Sequence, residues 1–168
     1  MQLVVTLGAL LADVPHSLPV HISGSASDQA LTERLGLQAT GYEGPTGIVG
    51  VLHASCAARG IPSASLWASV PHYVAAAPNP KAALALVRKL EGLVGVAVDA
   101  SELETAATDY ERQVGLAVQS DPDVQAFVER LEQMAADEQA DETEEIPSGD
   151  RIAREFQRFL KQRGSDDA

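Results

Sequence analysis

Residues 2–7 read Gln-Leu-Val-Val-Thr-Leu, an apolar and β-branched run without polar alternation. Such a run predicts a strand paired on both sides and covered on both faces. A domain that opens on an interior strand is unusual, because the neighbours of that strand must come from elsewhere. Residues 11–16 leave it as a loop, and residues 19–23 predict a second short strand. Ser27 is placed to cap a short helix over 28–35, with Asp28 in its first turn and Gly36 at its end. Between residues 48 and 58 the only polar positions are His53 and Ser55. That pattern predicts a helix capped by Thr46 and stopped by Gly60, and an apolar surface this wide predicts cover on more than one side. Residues 63–70 are rich in β-formers, and Pro71, which has no N–H for a ladder, closes them.

Beyond residue 78 the period becomes helical. Asn79 and Pro80 suit the N-cap and first turn of a helix. Ala83, Val87, Leu90 and Val94 share one of its faces, with Lys81, Arg88 and Glu91 away from it. Ser101 and Glu104 have capping-box spacing, and Leu103, Ala107, Tyr110, Val114 and Ala117 follow at helical intervals. Ser120-Asp121-Pro122 breaks that helix and starts another, with Val124, Phe127, Val128, Leu131 and Met134 along one face. The tight break predicts an antiparallel helical hairpin. Residues 137–149 have almost nothing to bury and predict a disordered acidic linker. Asp150 then caps a tail helix with an apolar stripe of Ile152, Phe156, Phe159 and Leu160, flanked by Arg151, Arg154, Arg158, Lys161 and Arg163. The expected organisation is an α/β core over 1–98, a helical hairpin over 99–136, the linker over 137–149 and the tail helix over 150–163.

The net charge of -12 over 168 residues changes the picture once it is located. Residues 121–150 hold eleven acids and one base, Arg130, so the rest of the chain is nearly neutral. No basic stripe interleaved with aromatics is present, which argues against nucleic acid as a partner. The single cysteine, Cys56, excludes an internal disulfide and fits a reducing compartment. Residues 1–12 carry no Lys or Arg, unlike a secretory signal. Residues 60–80 are uncharged but contain four prolines, unlike a membrane span. A cytoplasmic protein without membrane contact is expected.

The residues best suited to chemistry are the histidines of two Val-Pro-His tripeptides, His16 and His72. Each follows a predicted strand, where open α/β sheets place ligands. Two imidazoles there could act as acid and base, or bind a phosphate or metal, especially with Glu43 near by. The simpler alternative, a histidine bonded to a loop carbonyl, stands ahead of it, because the spacing fixes no third ligand. Gly44-Pro45-Thr46-Gly47 could present backbone N–H groups to an anion, although it matches neither the P-loop nor the dinucleotide fingerprint. A turn that simply needs glycine is the plainer reading. His53 and Cys56 share a helix face, which a core histidine beside a buried cysteine also explains. There is no Gly-x-Ser-x-Gly elbow, His21 has no context, and no cofactor or metal site is expected.

Several stretches resemble one family. They are Gly41-Tyr-Glu-Gly-Pro-Thr-Gly-Ile-Val-Gly50, both Val-Pro-His tripeptides with Tyr73, and Ile146-Pro-Ser-Gly-Asp150 before an amphipathic helix. They look like the proteasome assembly chaperone family of the second type, in its actinobacterial branch, over essentially the whole chain. The resemblance implies an α/β three-layer sandwich similar to the purine nucleoside phosphorylases, in homo-oligomers. It also implies kinship to chaperones of proteasome assembly. Members normally carry an N-terminal portion that supplies the opening strands, so the resemblance implies that this portion is missing here. The ending Gly-Ser-Asp-Asp-Ala168 lacks the hydrophobic–Tyr–x motif by which archaeal relatives dock.

These readings converge on a non-enzymatic assembly or interaction protein. It would associate with itself, and with proteasome subunits or another protein, through its C-terminal helices and the stripe at Ile152, Phe156, Phe159 and Leu160. Docking of the tail helix on its own acidic domain, arginines against carboxylates, is an equal alternative for that helix. The alternative is an enzyme or small-ligand binder with a nucleoside-phosphorylase-like pocket of His16, Glu43, Gly44, Thr46, Gly47 and His72.

Overall fold

The structure, a computed structural model, describes residues 3–37, 47–74 and 78–143. It is a mixed α/β arrangement built on β3 (Ser63–Pro71), the central strand of a three-stranded sheet ordered β1-β3-β2. β1 (Val4–Ala12) runs parallel to β3, from Val4 opposite Ser63 to Ala12 opposite Pro71. β2 (Ile22–Ala26) runs antiparallel to it, from Ile22 opposite Ala68 to Ala26 opposite Ala64. β2 starts three residues later than the pattern suggests, because Pro19 supplies no ladder donor. Among the described residues β1 pairs with β3 alone, so the run expected in mid-sheet stands at an edge. Its apolar pattern registers what both faces could bury, and carries no information on how many neighbours this sheet provides.

The strand pleat divides the core into two faces. Ala64 and Leu66 point to one of them, fully buried beneath Leu31 and Leu35 of α1 (Gln29–Leu35), Leu37, and Leu93 of α3 (Pro80–Val94). Val5, Ile22, Leu86 and Leu90 extend that cluster. The opposite face is lined by small polar side chains, Ser63, Ser65 and Ser69, all buried. On it lies α2 (Ile48–Ala57), where His53 Nε2 meets the Thr6 hydroxyl at 3.1 Å. α2 buries only Cys56 and leaves Ile48 (81% exposed), Val51 and Leu52 uncovered. The expected cover on several sides is therefore absent among the described residues: α2 meets one sheet face, and its outer stripe has no neighbour. Its N-cap is Gly47, while Thr46 lies outside the described residues.

Caps differ from the sequence pattern wherever a side chain finds a better partner. Asp28, rather than Ser27, caps α1, its Oδ1 accepting from the Leu31 N–H at 2.9 Å. Ser27 instead accepts from the Ser63 N–H at 3.1 Å and so fixes the start of β3. α4 (Ser101–Gln119) begins on Ser101 itself, whose N–H donates to Asp99 Oδ1 at 3.1 Å. Glu104, expected to close a capping box, pairs with Arg88, which also holds Glu91 at 2.7 Å. Asn79 caps α3 as the pattern predicts, accepting from the Ala82 N–H at 2.9 Å. α1 and α3 both end on left-handed glycines, Gly36 (φ 55°) and Gly95 (φ 68°).

α5 (Pro122–Thr143) starts at the predicted break. It meets α4 through a small cluster of Val114, Val118 and Val128, which also takes in Tyr73 and Val74. The chain divides into a unit up to Glu132 and a second from Gln133 onward. In the second, α5 continues to Thr143, helped by a Gln133–Asp137 side-chain bond of 2.8 Å. The first part of the expected disordered linker is thus helical, since Glu, Gln and Ala favour a helix even without a core to pack on. Residues 144–168, including the stripe at Ile152, Phe156, Phe159 and Leu160, lie outside the described residues. Among the described residues no helix is long and apolar enough to cross a membrane.

Two glycines test this packing in opposite directions. A Cβ on Gly24 would lie 2.1 Å from the Ser65 carbonyl oxygen, whereas one on Gly92 in α3 would meet nothing within 4 Å. Gly24→Ala is expected to lower stability by about 1–3 kcal/mol through backbone displacement. Gly92→Ala should raise it by about 0.5–1 kcal/mol. Urea unfolding followed by the fluorescence of the single tryptophan, Trp67, reads both.

Candidate functional site

Because β1 and β3 are parallel, their C-terminal ends lie together and bring both Val-Pro-His tripeptides to one edge of the sheet. The residue that joins them is Tyr73. Its hydroxyl accepts the His16 backbone N–H at 2.8 Å and lies 2.9 Å from His16 Nδ1. The His16 and His72 rings both stand edge-on to the Tyr73 ring, at 6.0 and 5.9 Å between centroids. Phe127 of α5 closes the cluster from the helical side, 5.5 Å from His72 and 5.9 Å from Tyr73, and the Arg130 guanidinium sits 5.8 Å over it.

The hydrogen-bond pattern sets the tautomer of His16. Burial pushes the Tyr73 hydroxyl above its ordinary value of 10.0, so it keeps its proton. Its oxygen already accepts from the His16 N–H, and Nδ1 is the acceptor within reach of the O–H. The arrangement that gives the hydroxyl proton an acceptor has it donating to Nδ1, with the ring proton on Nε2. Burial, followed by the charge of Lys81, holds His16 below its ordinary 6.5, so the neutral ring is favoured. Lys81 ties this loop to two helices: Nζ donates to the His16 carbonyl at 2.5 Å and pairs with Glu111 of α4 at 2.7 Å. Ser17 donates to Glu132 of α5.

The site residues expected from sequence separate here. His16 is buried, at 8% exposure, and lines a groove of about 600 Å³ along α4 with Ser17, Thr108, Glu111, Arg112, Gly115, Leu116 and Gln119. His72 does not line it; its Nδ1 turns to Asp13 Oδ1 at 2.9 Å on the exposed side of Tyr73. Gly47 starts α2, and no lining residue of the groove comes from that helix. Glu43, Gly44 and Thr46 lie outside the described residues. His53 bonds Thr6, while Cys56, one turn further along α2, is buried, so both are accounted for by packing. Among the described residues no three His, Cys, Asp or Glu side chains converge closely enough to hold a metal ion.

Sequence reasoning missed Tyr73, Lys81 and Gly115. Tyr73 and Lys81 give no local signal, since one follows a strand and the other reads as the polar face of an amphipathic helix. Gly115 does give one. A glycine inside a helix costs about 1 kcal/mol relative to alanine, and here a Cβ at that position would stand 3.7 Å from His16 Nε2.

Residues 1–118 match the PAC2 family. A PAC2 family protein from Streptomyces avermitilis is 48% identical, with a TM-score of 0.67, over 76% of this chain and 54% of that one. A proteasome-assembly chaperone homologue from Mycobacterium tuberculosis is 46% identical, with the same TM-score of 0.67, over 76% of this chain and 54% of that one. A Pyrococcus furiosus protein described as an archaeal homologue of proteasome-assembly chaperone shares the fold at 22% identity and a TM-score of 0.53, over 67% of this chain and 51% of that one. The chain thus spans about half the length of these solved relatives. No curated protein matches it.

Tyr73→Phe removes the acceptor of a part-buried N–H and the donor to Nδ1 together. It is expected to cost about 1–3 kcal/mol in urea unfolding. Tyr110→Phe, which loses only a 3.1 Å bond from Asn79, should cost less. The pH dependence follows from His16. Its folded value lies below 6.5, so the unfolded chain binds more protons between the two values. That part of the stability is complete above the unfolded value and is lost as pH falls from 6.5 toward the lowered folded one. His16→Gln should flatten the corresponding stretch of a plot of urea midpoint against pH.

Proposed function

Since this chain belongs to the PAC2 family, we propose that it is a non-enzymatic, chaperone-like interaction protein. It acts by contact with other polypeptides, itself among them, and works in the cytoplasm. The observation that carries this reading is the placement of uncovered apolar surface. Leu7, Leu10 and Leu11 on the edge strand and Ile48, Val51 and Leu52 on α2 are all exposed, Leu11 at 69%. Apolar side chains grouped on a sheet edge and on one helix stripe are surfaces that other chains cover. The polar cluster points the same way. The Tyr73 hydroxyl is occupied by the His16 backbone and ring, and Lys81 by Glu111 and the His16 carbonyl, which leaves no activated nucleophile in this cluster among the described residues.

The relatives sharpen the proposal. Two are named as homologues of proteasome-assembly chaperones, so proteasome subunits are the partner class to test first. The helical hairpin and the tail stripe of Ile152, Phe156, Phe159 and Leu160 are the proposed surfaces for that partner, and the three-layer arrangement resembling the purine nucleoside phosphorylases is the proposed architecture. Helices on both faces of the sheet, α1 and α3 on one and α2 on the other, support it. The reading as a nucleoside-phosphorylase-like pocket is weaker, because His72 stands outside the groove that His16 lines.

Light scattering tests self-association and contact with the partner in one experiment. The protein is expected to run larger than its 17.7 kDa chain and to co-elute with the 20S proteasome core of its own source. Val51→Glu and Leu11→Lys should reduce the mass without lowering the melting temperature, because both positions are exposed. Removal of residues 150–168 should abolish co-elution. A monomer that ignores the proteasome would falsify the proposal.

A further inference from the structure

The His16 groove contains a donor that the fold builds and does not use. His16 as a residue is 8% exposed and lines the groove. Among the described residues its Nδ1 is hydrogen-bonded and its Nε2, which lies 3.7 Å from where a Gly115 Cβ would stand, makes no protein hydrogen bond. With the Tyr73 hydroxyl donating to Nδ1, the ring proton sits on Nε2, which is then a donor toward the groove. A fixed donor at the wall of a groove calls for an acceptor on whatever fills it.

The other lining groups narrow the chemistry. Arg112 gives one N–H nitrogen to Asp109 at 2.9 Å and remains 63% exposed, so the rest of its guanidinium fork is available. Glu111, the acid in the lining, is held by Lys81 at 2.7 Å, which offsets its repulsion of an anion. Two donors, one of them cationic, suit a carboxylate, which a guanidinium binds with charge-assisted geometry. At about 600 Å³ the groove is far larger than a carboxylate alone. Leu116, exposed and one residue from the open position of Gly115, offers an apolar wall for a side chain attached to that carboxylate.

We propose that this groove binds the C-terminal carboxylate of a polypeptide, held between His16 Nε2–H and Arg112, with the last side chain against Leu116. Gly115 keeps the approach to Nε2 open, because a side chain there would stand over the imidazole edge. The groove runs along α4, part of the helical hairpin proposed above as a partner surface, so this inference rests on that reading and deepens it. The peptide test reads the carboxylate contact alone and does not require proteasome binding.

The probe is an N-acetylated Ala-Ala-Leu tripeptide added to the full-length protein, with the His16 imidazole ¹⁵N and ¹H signals followed by NMR. The expected result is a saturable shift of the His16 Nε2 signals with the free acid, and none with the C-terminally amidated peptide. Arg112→Gln, at an exposed position that leaves folding intact, should weaken binding about tenfold through loss of one charge-assisted pair. Gly115→Leu should block it while the His16 Nδ1 signal stays at its wild-type position. Equal shifts from the amidated peptide would remove the carboxylate from the proposal. Acetate binding as tightly as the peptide would assign the groove to small acids and overturn the polypeptide assignment. No shift with any of the three at millimolar concentrations would leave Nε2 to solvent and overturn the proposal entirely.

Discussion

The constraint on which the structure rests is the double occupation of β3. It is hydrogen-bonded to β1 on one edge and β2 on the other, and covered on both faces. A strand enclosed in this way cannot carry large side chains throughout, and its composition follows. Ala64 and Ala68 alternate with Ser63, Ser65 and Ser69, while Leu66 fills the space toward α1 and α3. Trp67 is the exception and needs a concession from its neighbour: its ring lies where a Cβ on Gly8 would be, 2.5 Å from Cζ3. Gly24 makes a similar concession on the other edge, to the Ser65 carbonyl. Large groups at either glycine would push β3 from its neighbours, so the sheet depends on what those two positions lack.

The end of β3 passes this order to the helical half. Tyr73 follows the strand by two residues, and its hydroxyl reaches back to fix the loop after β1. Lys81 then joins the same loop to α4, and Asn79 ties the start of α3 to Tyr110. Three polar links at one end of the sheet therefore set where α3 and α4 stand, while apolar contact does the same work deeper in. The neutral His16 is part of that arrangement. Protonating it would put a charge beside Lys81 in a buried place, which is why its acidity and the stability of the helical contact are coupled.

How much of this was legible in the sequence depended on the range of the interaction. Local signals carried well. Asn79 before Pro80, the break at Ser120-Asp121-Pro122, Gly36 as a helix end and Pro71 as a strand end all describe contacts within four residues, and the chain spells them out. Mixed α/β character followed from the same signals. Ser27 and Glu104 misled because each has a second partner distant in sequence, the Ser63 N–H and Arg88, that competes with the local cap. The candidate site was half legible: placing His16 and His72 beyond strand ends was enough to bring them to one edge. Their separation was not foreseeable, since it depends on Tyr73 standing between them and on Asp13 drawing His72 outward.

The apolar periodicity of β1 and α2 exposes a further limit of sequence pattern. It reports that a segment is fit to be buried, not what buries it. Residues such as Leu11 and Ile48 are what an interior position calls for, yet both stand exposed here. An exposed edge strand without charge or proline is a surface that native proteins normally protect, and neither occurs in Val4–Ala12. A segment composed for an interior and left uncovered by the described residues is a surface fit to be covered by further polypeptide, of this protein or of a partner. That fitness is physical and owes nothing to relatedness, which is why the apolar edge, rather than the histidines, carries the weight of the functional reading.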